Sequence, residues 1–187
     1  MNKKELRNKY KALRNTLSQT EIDDKSIAIA NQLAQMDIWD YENYHIFLPI
    51  ITQKEVNTEY LMHVLQGKDK NIIISKSDFS NTSMQHFLLT DNTALKINKW
   101  GIPEPTNGFI IDSKSIDIIF IPLLCYDTQG NRVGYGKGFY DRFLSEARPK
   151  KVIGLSFFPP EKVILGINKT DYQLDFCVLP DKIYDFV

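Results

Sequence analysis

The 187-residue sequence predicts one domain of three-layer α/β architecture, a mostly parallel, Rossmann-like sheet with helices on both faces. Three observations carry that prediction. Apolar runs of strand length alternate with segments of helical period. The runs are continuously apolar, as strands buried on both faces are. No linker, repeat or low-complexity tract divides positions 1–187.

Taken in order, Leu6, Tyr10, Leu13 and Leu17 recur with the period of one helix face, so 3–17 reads as an amphipathic helix. Ser18-Gln19-Thr20-Glu21 has the form of a capping box and opens a second helix that runs to about Met36. Tyr44 to Pro49 reads as a strand, Thr58 to Gln66 as a helix, and Asn71 to Lys76 and Met84 to Leu89 as strands. Ser115 to Pro122, almost wholly apolar and β-branched, reads as a strand buried on both faces. Phe139 to Ala147 follows as a helix and Lys151 to Phe157 as another buried strand. Ligands of such sheets collect where strand C-termini meet the loops that follow. That directs attention to the turns after Phe47, Lys76 and Pro122.

Composition narrows the function. Hydrophobic residues make up 43% and charged residues 25%, the soluble globular range. With 23 basic and 23 acidic side chains the net charge is zero, so no global field gathers nucleic acid or an anionic membrane. An anionic ligand must be caught locally. The longest apolar run, Ile118 to Leu124, is far short of the ~20 residues that cross a bilayer. The charged amphipathic start has no apolar signal core, which predicts a cytoplasmic protein. Cys125 and Cys177 form no CxxC pair and the three histidines stand apart, so neither a disulfide nor a zinc site is expected.

Downstream of the most apolar strand, Gly130, Gly134, Gly136 and Gly138 put four of nine glycines within nine residues. Without Cβ atoms they let backbone N–H groups turn inward to meet phosphate oxygens at the start of the next helix. Arg132 and Lys137 add charge, and an Arg can grip a phosphate through two parallel hydrogen bonds. The spacing is neither a P-loop nor a dinucleotide fingerprint: Gly138 follows Lys137 where Ser or Thr is required, and the fingerprint's third glycine would fall on Phe139. Asp141 is placed to hold a magnesium ion that bridges phosphates. The plainer alternative is a loop that merely turns, with Asp141 favouring a helix N-terminus. At the chain's start, Lys4, Arg7, Lys11 and Arg14 form a basic stripe beside the apolar one, and the first 16 residues carry a net +5. The stripe is either a solvated face or a set of cations of which one or two meet a phosphate chain.

With these features read, the sequence resembles the 5-formyltetrahydrofolate cyclo-ligase (methenyltetrahydrofolate synthetase) family along essentially its whole length. The matching segments are Lys3-Lys4-Glu5-Leu6-Arg7, Phe47-Leu48-Pro49 leading to Glu55-Val56-Asn57-Thr58, Trp100-Gly101-Ile102-Pro103-Glu104-Pro105, and Pro122 through Arg142. The resemblance implies a Mg²⁺- and ATP-dependent ligase that converts 5-formyltetrahydrofolate to 5,10-methenyltetrahydrofolate, ADP and phosphate. The formyl oxygen would be phosphorylated and the ring closed by N10. It implies ATP contacts from Lys3, Lys4, Arg7 and the stretch Arg132, Gly134, Tyr135, Gly136, Lys137, Gly138, Phe139 and Tyr140, with Lys137 and Arg132 catalytic. It implies folate contacts from Leu48, Glu55, Trp100 and Tyr135 to Phe139, and magnesium at Asp141 and Asp175. Small-molecule substrates and a monomer are expected, with no nucleic-acid or membrane partner. Three features depart from the commonest pattern: two extra residues lie within Pro49 to Lys54, Leu124-Cys125-Tyr126 replaces the smaller residues that often precede the aspartate, and Phe139 replaces a common Tyr. On the residues alone, Trp100 and Tyr140 could be core aromatics and Glu55 a helix-start acid. A regulatory nucleotide-binding protein without turnover and a sugar-phosphate-type α/β enzyme are the rival functions.

Overall fold

The computed structural model describes residues 1–187. Helix α1 (Lys3–Thr16) begins at Asn2, whose side chain accepts hydrogen bonds from the Lys4 and Glu5 N–H groups at 2.9 and 3.0 Å. The Glu5 carboxylate accepts from the Asn2 N–H in return. Helix α2 (Gln19–Ala34) opens with the predicted Ser18/Glu21 capping box. The chain continues as β1 (Asn43–His45), a 3-10 turn (Ile51–Gln53), α3 (Glu59–Gly67), β2 (Asn71–Asp78) and β3 (Ser83–Leu88). Then come β4 (Leu95–Ile97), β5 (Pro103–Pro105), β6 (Ile110–Ile111), β7 (Ile118–Pro122), β8 (Cys125–Tyr126) and β9 (Arg132–Val133). The last elements are α4 (Phe139–Glu146), β10 (Lys151–Leu155), β11 (Phe176–Val178) and β12 (Ile183–Asp185).

Eight strands form one sheet in the order β12-β11-β10-β7-β1-β2-β3-β6. The five from β11 to β2 run parallel, and β12, β3 and β6 complete the edges antiparallel. The mostly parallel, three-layer prediction is borne out. The strand expected over Tyr44 to Pro49 is shorter: after β1 the Ile46 N–H still bonds the Ile73 carbonyl, and the chain then leaves the sheet. The β4–β5 and β8–β9 ribbons and the C-terminal β11 and β12 are too short to show a period in the sequence.

Strand β7 explains its own composition. Ile118 and Phe120 face one core with Ile29, Leu33 and Leu61 from α2 and α3, while Ile119 and Ile121 face the other with Phe143 and Leu144 from α4. With both faces buried, every side chain in the run is apolar. A third cluster of Leu6, Tyr10, Leu124, Cys125, Val133 and Ile164 seats α1 on the β8–β9 ribbon. Both cysteines are buried and unpaired, and no helix is long and apolar enough to cross a membrane. The inward face of α1 differs from the predicted one: Leu13 is 37% exposed, and Arg14, at 3%, is buried between Tyr10 and Leu17.

Packing between β10 and its neighbours is close enough to test. A Cβ built on Gly154 would lie 2.5 Å from a methyl of Leu123 and 2.7 Å from one of Leu174, both buried. Gly154→Ala should therefore lower stability by about 1–3 kcal/mol, the usual cost of overpacking. Urea unfolding checks this as a lower midpoint at unchanged slope.

Candidate active site

A cavity of about 310 Å³ opens beyond the C-terminal ends of β1, β2 and β7, walled by α1 and by the loop between β9 and α4. The turns singled out in the sequence contribute Leu48, Ser77 and Pro122 to its lining. From the predicted site residues it gathers Lys3, Arg7, Leu48, Glu55, Trp100, Arg132, Gly134, Tyr135, Gly136, Lys137, Gly138, Phe139, Tyr140 and Asp141. Lys4 and Asp175 are not among them. Lys4 is exposed, because a residue one step along a helix from Lys3 points about 100° away.

One end of the cavity is cationic. Arg7 Nε donates to the Gly134 carbonyl at 2.9 Å and its guanidinium lies flat on Gly136. A Cβ at Gly136 would stand 2.9 Å from Arg7 Cζ and displace that guanidinium, and the backbone φ of 91° there favours glycine. Gly138 ends the loop as the cap of α4 with no side chain on the free N–H groups of the first turn. Those groups, Lys3, Arg7 and the exposed Lys137 surround a volume suited to anionic oxygens.

Carboxylates are arranged differently from the expectation. Asp141 accepts from Arg132 Nη2 at 2.7 Å and from the Tyr172 N–H at 3.2 Å, while Arg132 Nη1 donates to the Tyr172 carbonyl. Arg132 is therefore engaged with the protein through both terminal nitrogens, which corrects the view of it as a free two-pronged phosphate grip. Asp141 keeps the Arg132 guanidinium charged against the pull of burial, which lowers its pKa. The second acid lining the cavity is Asp171, which ion-pairs with Lys3. Hydrogen bonds from Lys3 and the Asn168 N–H hold its carboxyl below the usual range, outweighing burial. Asp175 faces elsewhere: it pairs with Arg148 at 2.8 Å and accepts from the Val152 N–H at 2.7 Å, beside the N-terminal end of β10. The parallel register puts that end across the sheet from the cavity, and the acid near the C-terminus that lines the cavity is Asp171.

At the other end, Glu55 is buried, 4% exposed, with Oε2 accepting from the Ile50 N–H at 2.7 Å and Oε1 from the Tyr135 hydroxyl at 2.8 Å. The Tyr135 hydroxyl in turn accepts from Arg14 Nη1 at 2.9 Å. Burial raises the pKa of both Glu55 and Tyr135. The two extra residues before Glu55 fall in the segment that forms the 3-10 turn Ile51–Gln53, and both Leu48 and Glu55 reach the cavity. Across from Glu55 stands an aromatic wall: Trp100 stacks on Phe79 at 5.3 Å, and Phe79 meets Phe139 edge-on at 4.9 Å. Trp100 is 51% exposed, which excludes the core-packing alternative.

A basic end thus adjoins an apolar one that carries a buried carboxylate. Comparison with known proteins gives this pairing a family. The profile of the 5-formyltetrahydrofolate cyclo-ligase family matches residues 1–179. The chain belongs to that family. Cyclo-ligase relatives include a probable 5-formyltetrahydrofolate cyclo-ligase of Schizosaccharomyces pombe, 28% identical over 179 residues that cover 87% of each chain. The 5-formyltetrahydrofolate cyclo-ligase of Mus musculus is 29% identical over 76% of this chain and 73% of its own. Among solved structures, a 5,10-methenyltetrahydrofolate synthetase of Aquifex aeolicus superposes with a TM-score of 0.84, at 25% identity, over 100% of this chain and 93% of that one. Membership makes this chain a ligase.

Within the cyclo-ligase cavity, sequence reasoning missed Phe79 and Asp171, and it set Arg14 on a basic stripe where the structure buries it behind the lining. Phe79 follows β2 in a turn with no motif of its own, and Asp171 lies four residues from another acid with nothing local to separate them. Behind the cavity, Tyr140 packs edge-on against His45, which in turn packs edge-on against His86 at 5.3 Å. Burial holds both imidazoles neutral, His86 down to about 4 and His45 well below its ordinary 6.5, helped by His86. Between pH 6.5 and about 4 the unfolded chain binds protons that the folded chain refuses, so stability falls as pH falls through that window. His86→Leu should flatten this slope, measured as urea midpoints across the same range.

Proposed function

We propose that this chain couples ATP to the conversion of 5-formyltetrahydrofolate into 5,10-methenyltetrahydrofolate, ADP and phosphate. The observation that carries the reading is the single cavity in which Arg7, Lys137 and the open start of α4 lie next to Glu55 and the Trp100–Phe79–Phe139 wall. A phosphate chain fits the first group. A flat ring with an edge of N–H donors fits the second: Glu55 has lone pairs left after its bonds to Ile50 and Tyr135, and the aromatics flank the ring.

The formamide oxygen on N5 attacks the γ-phosphorus and ADP departs. N10 then attacks the activated carbon, its proton passes to the departing phosphate or to water, and phosphate leaves as the ring closes. Such a reaction asks chiefly for positioning and charge stabilisation. Lys137, exposed at the loop and free of any ion pair, follows the charge on the transferring group; Arg7 and the α4 N–H groups hold the phosphates behind it. Arg132 acts by fixing Asp141 and the Tyr172 carbonyl. Asp141 and Asp171 suit Mg²⁺, which takes one or two carboxylates and completes its shell with water and substrate oxygens. When bound it supplies neutralisation of phosphate charge; Lys3 and Arg132 keep the two carboxylates oriented.

The assay follows the near-ultraviolet absorbance of the methenyl product. Product should appear only with ATP, Mg²⁺ and 5-formyltetrahydrofolate together, and folded protein that makes none overturns the reading. ATP binding without folate-dependent ADP release would instead indicate a regulatory protein, and loss of adenine selectivity a sugar-phosphate enzyme. Lys137→Ala should lower kcat about 100-fold or more with little change in melting temperature. Asp171→Asn should raise the Mg²⁺ concentration needed for half-maximal rate, whereas Asp175→Asn should leave it unchanged and lower stability. The reverse pattern returns the metal to Asp175.

A further inference from the structure

Arg14 lies outside the cavity lining, yet it is 3% exposed and bonded in three directions. Nη1 donates to the Tyr135 hydroxyl at 2.9 Å and to the Gln53 carbonyl at 3.4 Å, and Nη2 donates to the Leu123 carbonyl. Through these it joins three separate walls of the site: the glycine-rich loop, the 3-10 turn before Glu55 and the exit of β7. A guanidinium is costly to bury unless its charge is answered. No carboxylate touches Arg14; the nearest answer is Glu55, one hydroxyl away.

We propose that Arg14 is a positioning residue of the folate compartment, acting through the Tyr135 hydroxyl to keep the Glu55 carboxylate charge-compensated and aimed into the cavity. The proposal takes the folate reading above as given. The geometry supports a relay in one direction. Arg14 can only donate, so the Tyr135 oxygen accepts from it and its proton is turned toward Glu55 Oε1. With the Ile50 N–H on Oε2, the carboxylate is held at both oxygens and its remaining lone pairs are left for a ligand. Groups of charge or titrating character facing Glu55 are Arg14 from α1, Tyr135 from the loop and Tyr140 from α4. Arg14 alone among them carries charge, and it opposes the upward push of burial on the Glu55 carboxyl. Lys11, the next cation along the stripe, lies over the Tyr135 ring at 5.6 Å and leaves the relay to Arg14.

Removal of the guanidinium leaves a buried carboxylate with no counter-charge, so protonation sets in at higher pH. In Arg14→Met the acid limb of kcat/KM for 5-formyltetrahydrofolate should move up by about one pH unit, and folate KM should rise about tenfold, the scale of a charge-assisted bond. KM for ATP and kcat at saturating folate should change little. A purely structural role would not move the pH profile. Carbon-13 NMR titration of glutamate-labelled protein reads the Glu55 carboxyl directly, and Glu55→Gln assigns its resonance. An upward shift in Arg14→Met supports the proposal, and an unchanged Glu55 titration with unchanged folate KM overturns it. Wild-type protein that makes no product defeats the cyclo-ligase reading, while the NMR arm still decides the relay. If Arg14→Met does not fold, Arg14→Lys carries the test: charge kept and fork lost, it should hold the acid limb near its original pH and raise folate KM several-fold. An unchanged folate KM in that variant also overturns the proposal.

Discussion

A carboxylate buried beside a cavity has to be answered from every side, and Glu55 sets that requirement for this molecule. Its partners come from parts of the chain far apart in sequence: the Ile50 N–H from the turn after β1, Tyr135 from the glycine-rich loop and, behind Tyr135, Arg14 from α1. Satisfying one charge thus draws the first helix and the loop together over the C-terminal edge of the sheet. The same approach lays Arg7 on Gly136 and brings Lys3 to Asp171. The cationic end of the site is assembled by contacts that complete the apolar end.

The two carboxylates at the cationic end follow a similar logic. Asp141 sits in the first turn of α4, where the helix dipole favours it, and Arg132 and the Tyr172 N–H fix its direction. The Tyr172 backbone bonds both Asp141 and Arg132, so Asp171, one residue earlier, is delivered to the same side. Four residues on, the chain has entered the sheet beside Val152, and Asp175 belongs to strand architecture.

Much of this was legible in the sequence because it rests on local rules. The Ser18/Glu21 box, the uninterrupted apolar run of β7 and the alternating glycines each report their own structure. The family resemblance then brought in Lys3, Glu55 and Trp100, which no local rule would join. What was not legible depends on long-range pairing. A period counted on apolar residues places Leu13 inside and Arg14 outside, since it has no means of knowing that a hydroxyl and two carbonyls await a guanidinium. The choice between Asp171 and Asp175 depends on where β11 enters the sheet. Phe79 joins the aromatic wall only because β2 and β3 pair antiparallel and turn it toward Trp100.

The claim that one cavity holds a phosphate compartment and a folate compartment side by side is tested most directly by ligand-induced thermal stabilisation. A ligand that binds only the folded state raises its melting temperature. ATP with Mg²⁺ and 5-formyltetrahydrofolate should each raise it. Asp171→Asn should lose the first response and keep the second, and Glu55→Gln the reverse. Two ligands that share one response, or a folate that gives none with wild-type protein, would contradict the account.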